Sequence, residues 1–152
     1  MTVKICPGDF DPFQEIRDHQ RAKPAMAGNY GATSIFIGTM RDFNEERSVD
    51  GMTLEYYPGM TENQLEKIIH EAQRQWRLLD VLVVHRVGDI APNTPIVLAA
   101  VWSVHRGDAF DACRDIMEAL KSRAPFWKKE LLAAEQGQSR WVAGNSDGYS
   151  RK

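Results

Sequence analysis

The stretch Ile96 to Val104 (IVLAAVWSV) contains a single polar side chain, Ser103. It is far shorter than the ~20 apolar residues of a membrane-crossing helix, and the turn sequence Asn93-Thr-Pro95 leads into it. A run of this kind predicts a central strand covered on both faces. The rest of the chain must therefore supply layers on either side of a sheet. Gly31–Met40 (GATSIFIGTM) reads as a strand with Ile35 and Ile37 on one face. Met52–Tyr57 reads as a second strand closed by Pro58-Gly59, and Asp80–Val87 (DVLVVHRV) as a buried one. Residues 1–6 suit a short edge strand ended by Pro7.

Two helices are predicted between these strands. Thr61-Glu-Asn-Gln64 has the form of a capping box with Thr61 as N-cap, and Leu65, Ile68, Ile69, Ala72 and Trp76 follow at helical spacing. Asp108 suits the cap of the other, whose stripe is Phe110, Cys113, Met117 and Leu120 and which Pro125 stops. Phe13–Arg21 shows a weaker helical pattern, and Lys23–Tyr30 reads as a loop. Arg41–Gly51 reads as a charged, mobile segment. Residues 126–143 fit either a short helix or two strands, Phe126–Leu131 and Arg140–Val142, around a loop at 135–139. The expected class is α+β: a mixed or antiparallel sheet with helices packed on one face. Residues 1–143 form one domain, and 144–152 a polar, disordered tail.

At 152 residues the chain can bury a core without disulfide or metal staples. Its net charge of -2 argues against bulk nucleic-acid binding, so any anion site must be a local basic cluster. Cys6 and Cys113 match no metal spacing, and Cys113 lies in an apolar helical pattern that suits a small core residue. The N-terminus has no signal-like apolar stretch, which makes the cytoplasm the default compartment. His19, His70, His85 and His105 are not spaced as metal ligands, and there is no Gly-rich phosphate loop.

Three basic features remain. His105-Arg106 follows the most apolar strand and precedes a helix start, where amides help hold an anion. Lys121–Lys128 (KSRAPFWK) spans a helix end and the rigid bend at Pro125, with Phe126-Trp127 beside Lys128. A lysine against apolar surface loses its proton more readily. Gly38-Thr-Met-Arg41 ends a strand with a residue that lets the backbone bend and one whose fork suits phosphate. Each has a bland explanation: a strand end reaching solvent, a lysine suiting the helix macrodipole, a surface arginine opening a charged loop. They form one constellation only if the strand ends and the helix end converge.

The chain resembles the large, catalytic subunit of molybdopterin synthase. The resemblance rests on Leu54-Glu-Tyr-Tyr-Pro-Gly-Met-Thr61, Val84-His-Arg-Val-Gly88, Ser103-Val-His-Arg106 and above all Leu120-Lys-Ser-Arg-Ala-Pro-Phe-Trp-Lys-Lys-Glu130. It runs from about Gly31 to about Val142. It implies an α/β hammerhead fold with a further, mainly β part. It also implies an enzyme that converts cyclic pyranopterin monophosphate into molybdopterin by installing a dithiolene. Sulfur would arrive as a thiocarboxylate on the C-terminal Gly-Gly of a small ubiquitin-like partner, with two large subunits forming the centre of a heterotetramer. No cofactor or metal is implied for the sulfur transfer.

The resemblance also implies residue roles. Lys121 would be the central catalytic lysine and Lys128 its electrostatic support. Thr39, Met40, Arg41, His105, Arg106, Lys129 and Glu130 would join both lysines in substrate binding. The chain departs from the family at Thr39, where members often carry Lys. Arg41 and Arg140 are the candidates for residues lent between subunits. The alternative is a non-catalytic module that binds a ubiquitin-like tail in a groove of Met117, Phe126 and Trp127.

Overall fold

A computed structural model describes residues 1–44, 47–132 and 139–142. In chain order the elements are β1 (Thr2–Cys6), α1 (Pro12–Ala22), β2 (Ala32–Thr39), β3 (Phe43–Asn44), β4 (Arg47–Tyr56), α2 (Met60–Gln75), β5 (Leu78–Arg86), β6 (Gly88–Ile90), β7 (Pro95–Ser103), α3 (Arg106–Arg123), β8 (Phe126–Leu132) and β9 (Ser139–Trp141). A single 3-10 turn, Pro24–Met26, lies in the segment expected to be loop.

One sheet has the order β1-β5-β7-β2, with β1 parallel to β5 and the other pairs antiparallel. The apolar run lies in β7, inside this sheet, and alternation divides its side chains between two cores. Val97, Ala99 and Val101 pack with Val81 and Val83 of β5 under α2 and α3. Leu98, Ala100 and Trp102 pack with Leu82 and Val84 on the other face, with Ile16 of α1. The α+β class therefore holds. The two strong helices share one face, as expected, and α1 covers the opposite one.

The second sheet has the order β3-β4-β8-β9, with β6 also paired to β4. A third core of Met40, Met52, Leu54, Val87 and Ile90 lies between the sheets, with Ile5 and Phe126 packed against it. Of the two readings of 126–143, the two-strand one is correct at β8 and β9. The loop expected at 135–139 lies outside the described residues up to 138, as does the tail from 144. Part of the segment expected to be mobile is strand: β3, and 47–51 as the start of β4.

Three local expectations need correction. Helix α2 starts at Met60, with Gly59 rather than Thr61 as N-cap. Gly59 has φ +81°, a left-handed conformation that glycine adopts without strain, so the chain turns into the helix earlier. Its N–H donates to Glu62 Oε2 at 2.7 Å. The buried Thr61 hydroxyl instead accepts from Tyr57 N–H at 3.1 Å and donates to Pro125 O at 3.2 Å.

Helix α3 likewise begins at Arg106, with His105 as N-cap, and Asp108 lies within the first turn, where its charge suits the macrodipole. Phe110 is 64% exposed and not in the core. The helix turns Ala109, Ala112, Cys113, Ile116 and Met117 inward, and the small residues among them leave the large ring outside.

Candidate active site

The site is built at the junction of α3 and β8. Lys121 stands in the last turn of α3, which ends where Ala124 N–H bonds Leu120 O. Pro125 then turns the chain, its carbonyl held by Thr61 of α2. From Phe126 the chain runs antiparallel to β4, with Lys128 opposite Leu54, Lys129 opposite Thr53 and Glu130 opposite Met52.

The alternation of a strand decides which of these side chains meet. Phe126, Lys128 and Glu130 share one face of β8, turned toward the interior, and Glu130 is buried. Trp127 and Lys129 share the other. There Trp127 packs edge-on against Tyr57 with ring centroids 5.3 Å apart, and the Lys129 ammonium lies 5.8 Å from the centroid of Trp141. The lysine pair of the sequence is thus split between two faces. The groove of Met117, Phe126 and Trp127 does not form as one surface, because Phe126 and Trp127 point oppositely.

Lys121 and Lys128, seven residues apart in the chain, are brought within electrostatic reach. Burial lowers the Lys128 pKa, the Lys121 charge lowers it further, and Glu130 acts in the opposite sense. Such an amine exchanges its proton more readily than a surface lysine and still carries charge to an anion. Arg123 is turned away, its guanidinium 2.8 Å from Glu71 of α2.

Sequence reasoning passed over His85. It is the penultimate residue of β5, and its ring lies flat on Phe126 of β8, with centroids 3.9 Å apart and planes inclined by 15°. Burial, with a smaller push from Lys128, lowers its pKa to about 4. A polar residue inside the otherwise apolar DVLVVHRV was the available signal.

The end of β2 lies at the same end of the sheet. Antiparallel pairing places Thr39 opposite Pro95, at the start of β7. Gly38 sits at a bulge, where an added Cβ would come within 2.7 Å of Val97 Cγ1, so the close approach there is to the core. Thr39 and Arg41 are exposed. Met40 is not: its side chain is in the core between the sheets, its N–H bonds Thr94 O at 3.0 Å and its carbonyl accepts from Asn93 N–H at 2.8 Å.

His105 and Arg106 do not join this group within one chain. They are exposed at the N-terminus of α3, and fifteen residues of helix separate Arg106 from Lys121. At the helical rise per residue that is about 22 Å. Thr39–Arg41 thus lie at the β5–β8 end of the sheet, whereas His105-Arg106 stand a helix length from Lys121 within one chain. The Arg140 side chain lies outside the described residues.

Residues 10–123 match the family model described as MoaE protein. The chain belongs to the MoaE family. It is 50% identical over 141 residues to a molybdopterin synthase catalytic subunit of Ralstonia nicotianae, covering 93% of this chain and 76% of that one. Its fold matches the molybdopterin biosynthesis MoaE protein of Burkholderia ambifaria, with TM-score 0.76 and 44% identity over 96% of this chain and 92% of that one. A molybdopterin synthase structure from Staphylococcus aureus matches with TM-score 0.80 at 27% identity, over 92% of this chain and 96% of that one. The family thus accounts for the two-sheet architecture. Among the described residues no group of three or more His, Cys, Asp or Glu could hold a metal ion. No described helix is long and apolar enough to cross a membrane.

Proposed function

We infer that this chain is the catalytic subunit of a molybdopterin synthase. It moves sulfur from the thiocarboxylated C-terminus of a small ubiquitin-like subunit onto cyclic pyranopterin monophosphate, forming the dithiolene. Residues 1–143 act as one catalytic domain, in the cytoplasm. The observation that supports the reading is the placement of Lys121 and Lys128 within electrostatic reach across the α3–β8 bend, with burial lowering the Lys128 pKa.

Both reactants are anionic, one through its cyclic phosphate and one through its thiocarboxylate. Lys121 positions the thiocarboxylate and assists proton transfer. Lys128 stabilises charge that develops as sulfur attacks the pterin, where preorganised donors act without reorganising. Arg41 suits the phosphate through its planar fork. Thr39 offers a hydroxyl, and Met40 shapes the site from the core. Glu130 moderates Lys128, and Lys129 extends the positive field on the outer face of β8.

His105 and Arg106 serve this chemistry from a second copy of the chain. Their own copy holds them a helix length away, so a homodimer within the heterotetramer is part of the proposal.

The test is turnover of purified protein with the pterin substrate and the thiocarboxylated partner. Lys121→Ala should lose activity by about a hundredfold or more, the scale of one lost electrostatic stabiliser, with dimerisation and folding intact. Full activity would overturn its role. If wild-type protein binds the partner tail and yields no sulfurated pterin, the chain is a binding module instead.

A further inference from the structure

We propose that His85 is a positioning residue for Lys128, a neutral imidazole whose Nε2 lone pair accepts a hydrogen bond from the ammonium and fixes the direction of Nζ. The proposal rests on the sulfur-transfer reading above, and geometry carries it. The ring of His85 is fixed on two sides. Its face lies on Phe126, 3.9 Å between centroids. Its Nδ1 is 2.8 Å from the carbonyl oxygen of Arg86. A carbonyl can only accept, so Nδ1 carries the proton and Nε2 is left as an acceptor.

The same strand supplies the recipient. Phe126 and Lys128 are two residues apart on β8 and share its inward face, so the ring that stacks on the imidazole and the ammonium whose charge acts on it project from the same side of the strand. The Lys128 charge acts on the ring, as does burial, and both oppose its protonation. The charged groups around the pair are Lys121 from α3, Glu130 from β8 and Arg86 beside His85 on β5. An acidic residue at position 85 would hold Lys128 as a tightly bound ammonium. A neutral acceptor orients it and leaves its proton exchangeable. The wall of the site is thereby coupled to the main core, because His85 lies near the end of a strand that is buried from Asp80 on.

Two variants separate orientation from packing. His85→Phe keeps an aromatic ring against Phe126 and removes the acceptor. His85→Gln restores an acceptor near the Nε2 position without the ring. In the assembled synthase, His85→Phe should lower kcat about tenfold, the ratio carried by one hydrogen bond, with KM nearly unchanged, and His85→Gln should recover part of that loss. Independently of turnover, competitive acetylation of Lys128 followed by mass spectrometry reads its titration midpoint. In His85→Phe the midpoint should move to lower pH, because the ammonium loses an acceptor, and in His85→Gln it should move back. An unchanged midpoint and kcat in a folded His85→Phe protein would overturn the proposal. A shifted midpoint in a protein whose Lys128→Ala variant remains fully active would instead overturn the role of Lys128 in the proposed reaction.

Discussion

His19 and His85 are both buried, and each lies flat on an aromatic ring, Trp102 at 5.1 Å for one and Phe126 at 3.9 Å for the other. Burial lowers the pKa of both. Their neighbours differ in sign. His19 Nε2 is 2.8 Å from Asp80, and the same carboxylate takes the Lys23 ammonium and the amino group of Met1. That cluster is a buried anion surrounded by donors, and Asp80 is held far below the usual carboxylate range by those hydrogen bonds, which outweigh its desolvation. His85 has a carbonyl on one side and a lysine on the other. The first cluster converges on one buried carboxylate and fixes the fold. The second sets Lys121, Lys128 and Glu130 around one another at the junction of α3 and β8.

The largest effect should come at Asp80. Asp80→Ala leaves a buried histidine, an ammonium and an amino group without their counter-charge, and should cost about 4 kcal/mol in urea unfolding, the scale for breaking a buried pair. Turnover per folded molecule should be unchanged. Loss of activity without loss of stability would contradict the division of labour drawn here.

A slightly smaller effect should come with pH. His85 binds a proton below its ordinary 6.5 when unfolded, and in the fold only below about 4. Stability should therefore fall as pH drops through that window, by about 3 kcal/mol from this group. Unfolding of His85→Phe compared with wild type at several acid pH values isolates the slope, which the variant should lack. Parallel curves would show that His85 binds its proton equally in the folded and unfolded states, with no lowering of its pKa.

The smallest effect concerns the hinge of the site. Thr61→Val keeps a residue of similar size and removes the bonds to Tyr57 and Pro125. It should cost about 1 to 2 kcal/mol in thermal unfolding. It should lower turnover more than an equally destabilising change on the His19 side.

Much of the frame was legible because it depends on alternation and helical spacing alone. IVLAAVWSV announces a strand with two covered faces, and Leu65, Ile68, Ile69 and Ala72 announce a helix. Caps were less legible. Thr61 has the right chemistry for an N-cap, yet Gly59 supplies the backbone geometry and Thr61 spends its hydroxyl on a distant carbonyl. Lys121 and Lys128 stood out as a pair only through resemblance, because their placement within electrostatic reach depends on the bend at Pro125 and the strand register after it. The separation of His105-Arg106 from Lys121 within one chain was not legible from the motifs alone, because it depends on the length of the helix between them. His85 was missed because a histidine was weighed as a metal ligand and not as a fixed lone pair.

That intervening helix has a further consequence. α3 is an uninterrupted rod of 18 residues from Arg106 to Arg123. Deleting one residue from its middle would swing everything beyond through about 100° and draw it in by about 1.5 Å. Arg106 would keep its place while Lys121 turned off the bend that presents it to Lys128. The length of this rod is therefore a gauge: its exposed face tolerates exchange of side chains, while the addition or removal of a single residue resets the direction of Lys121.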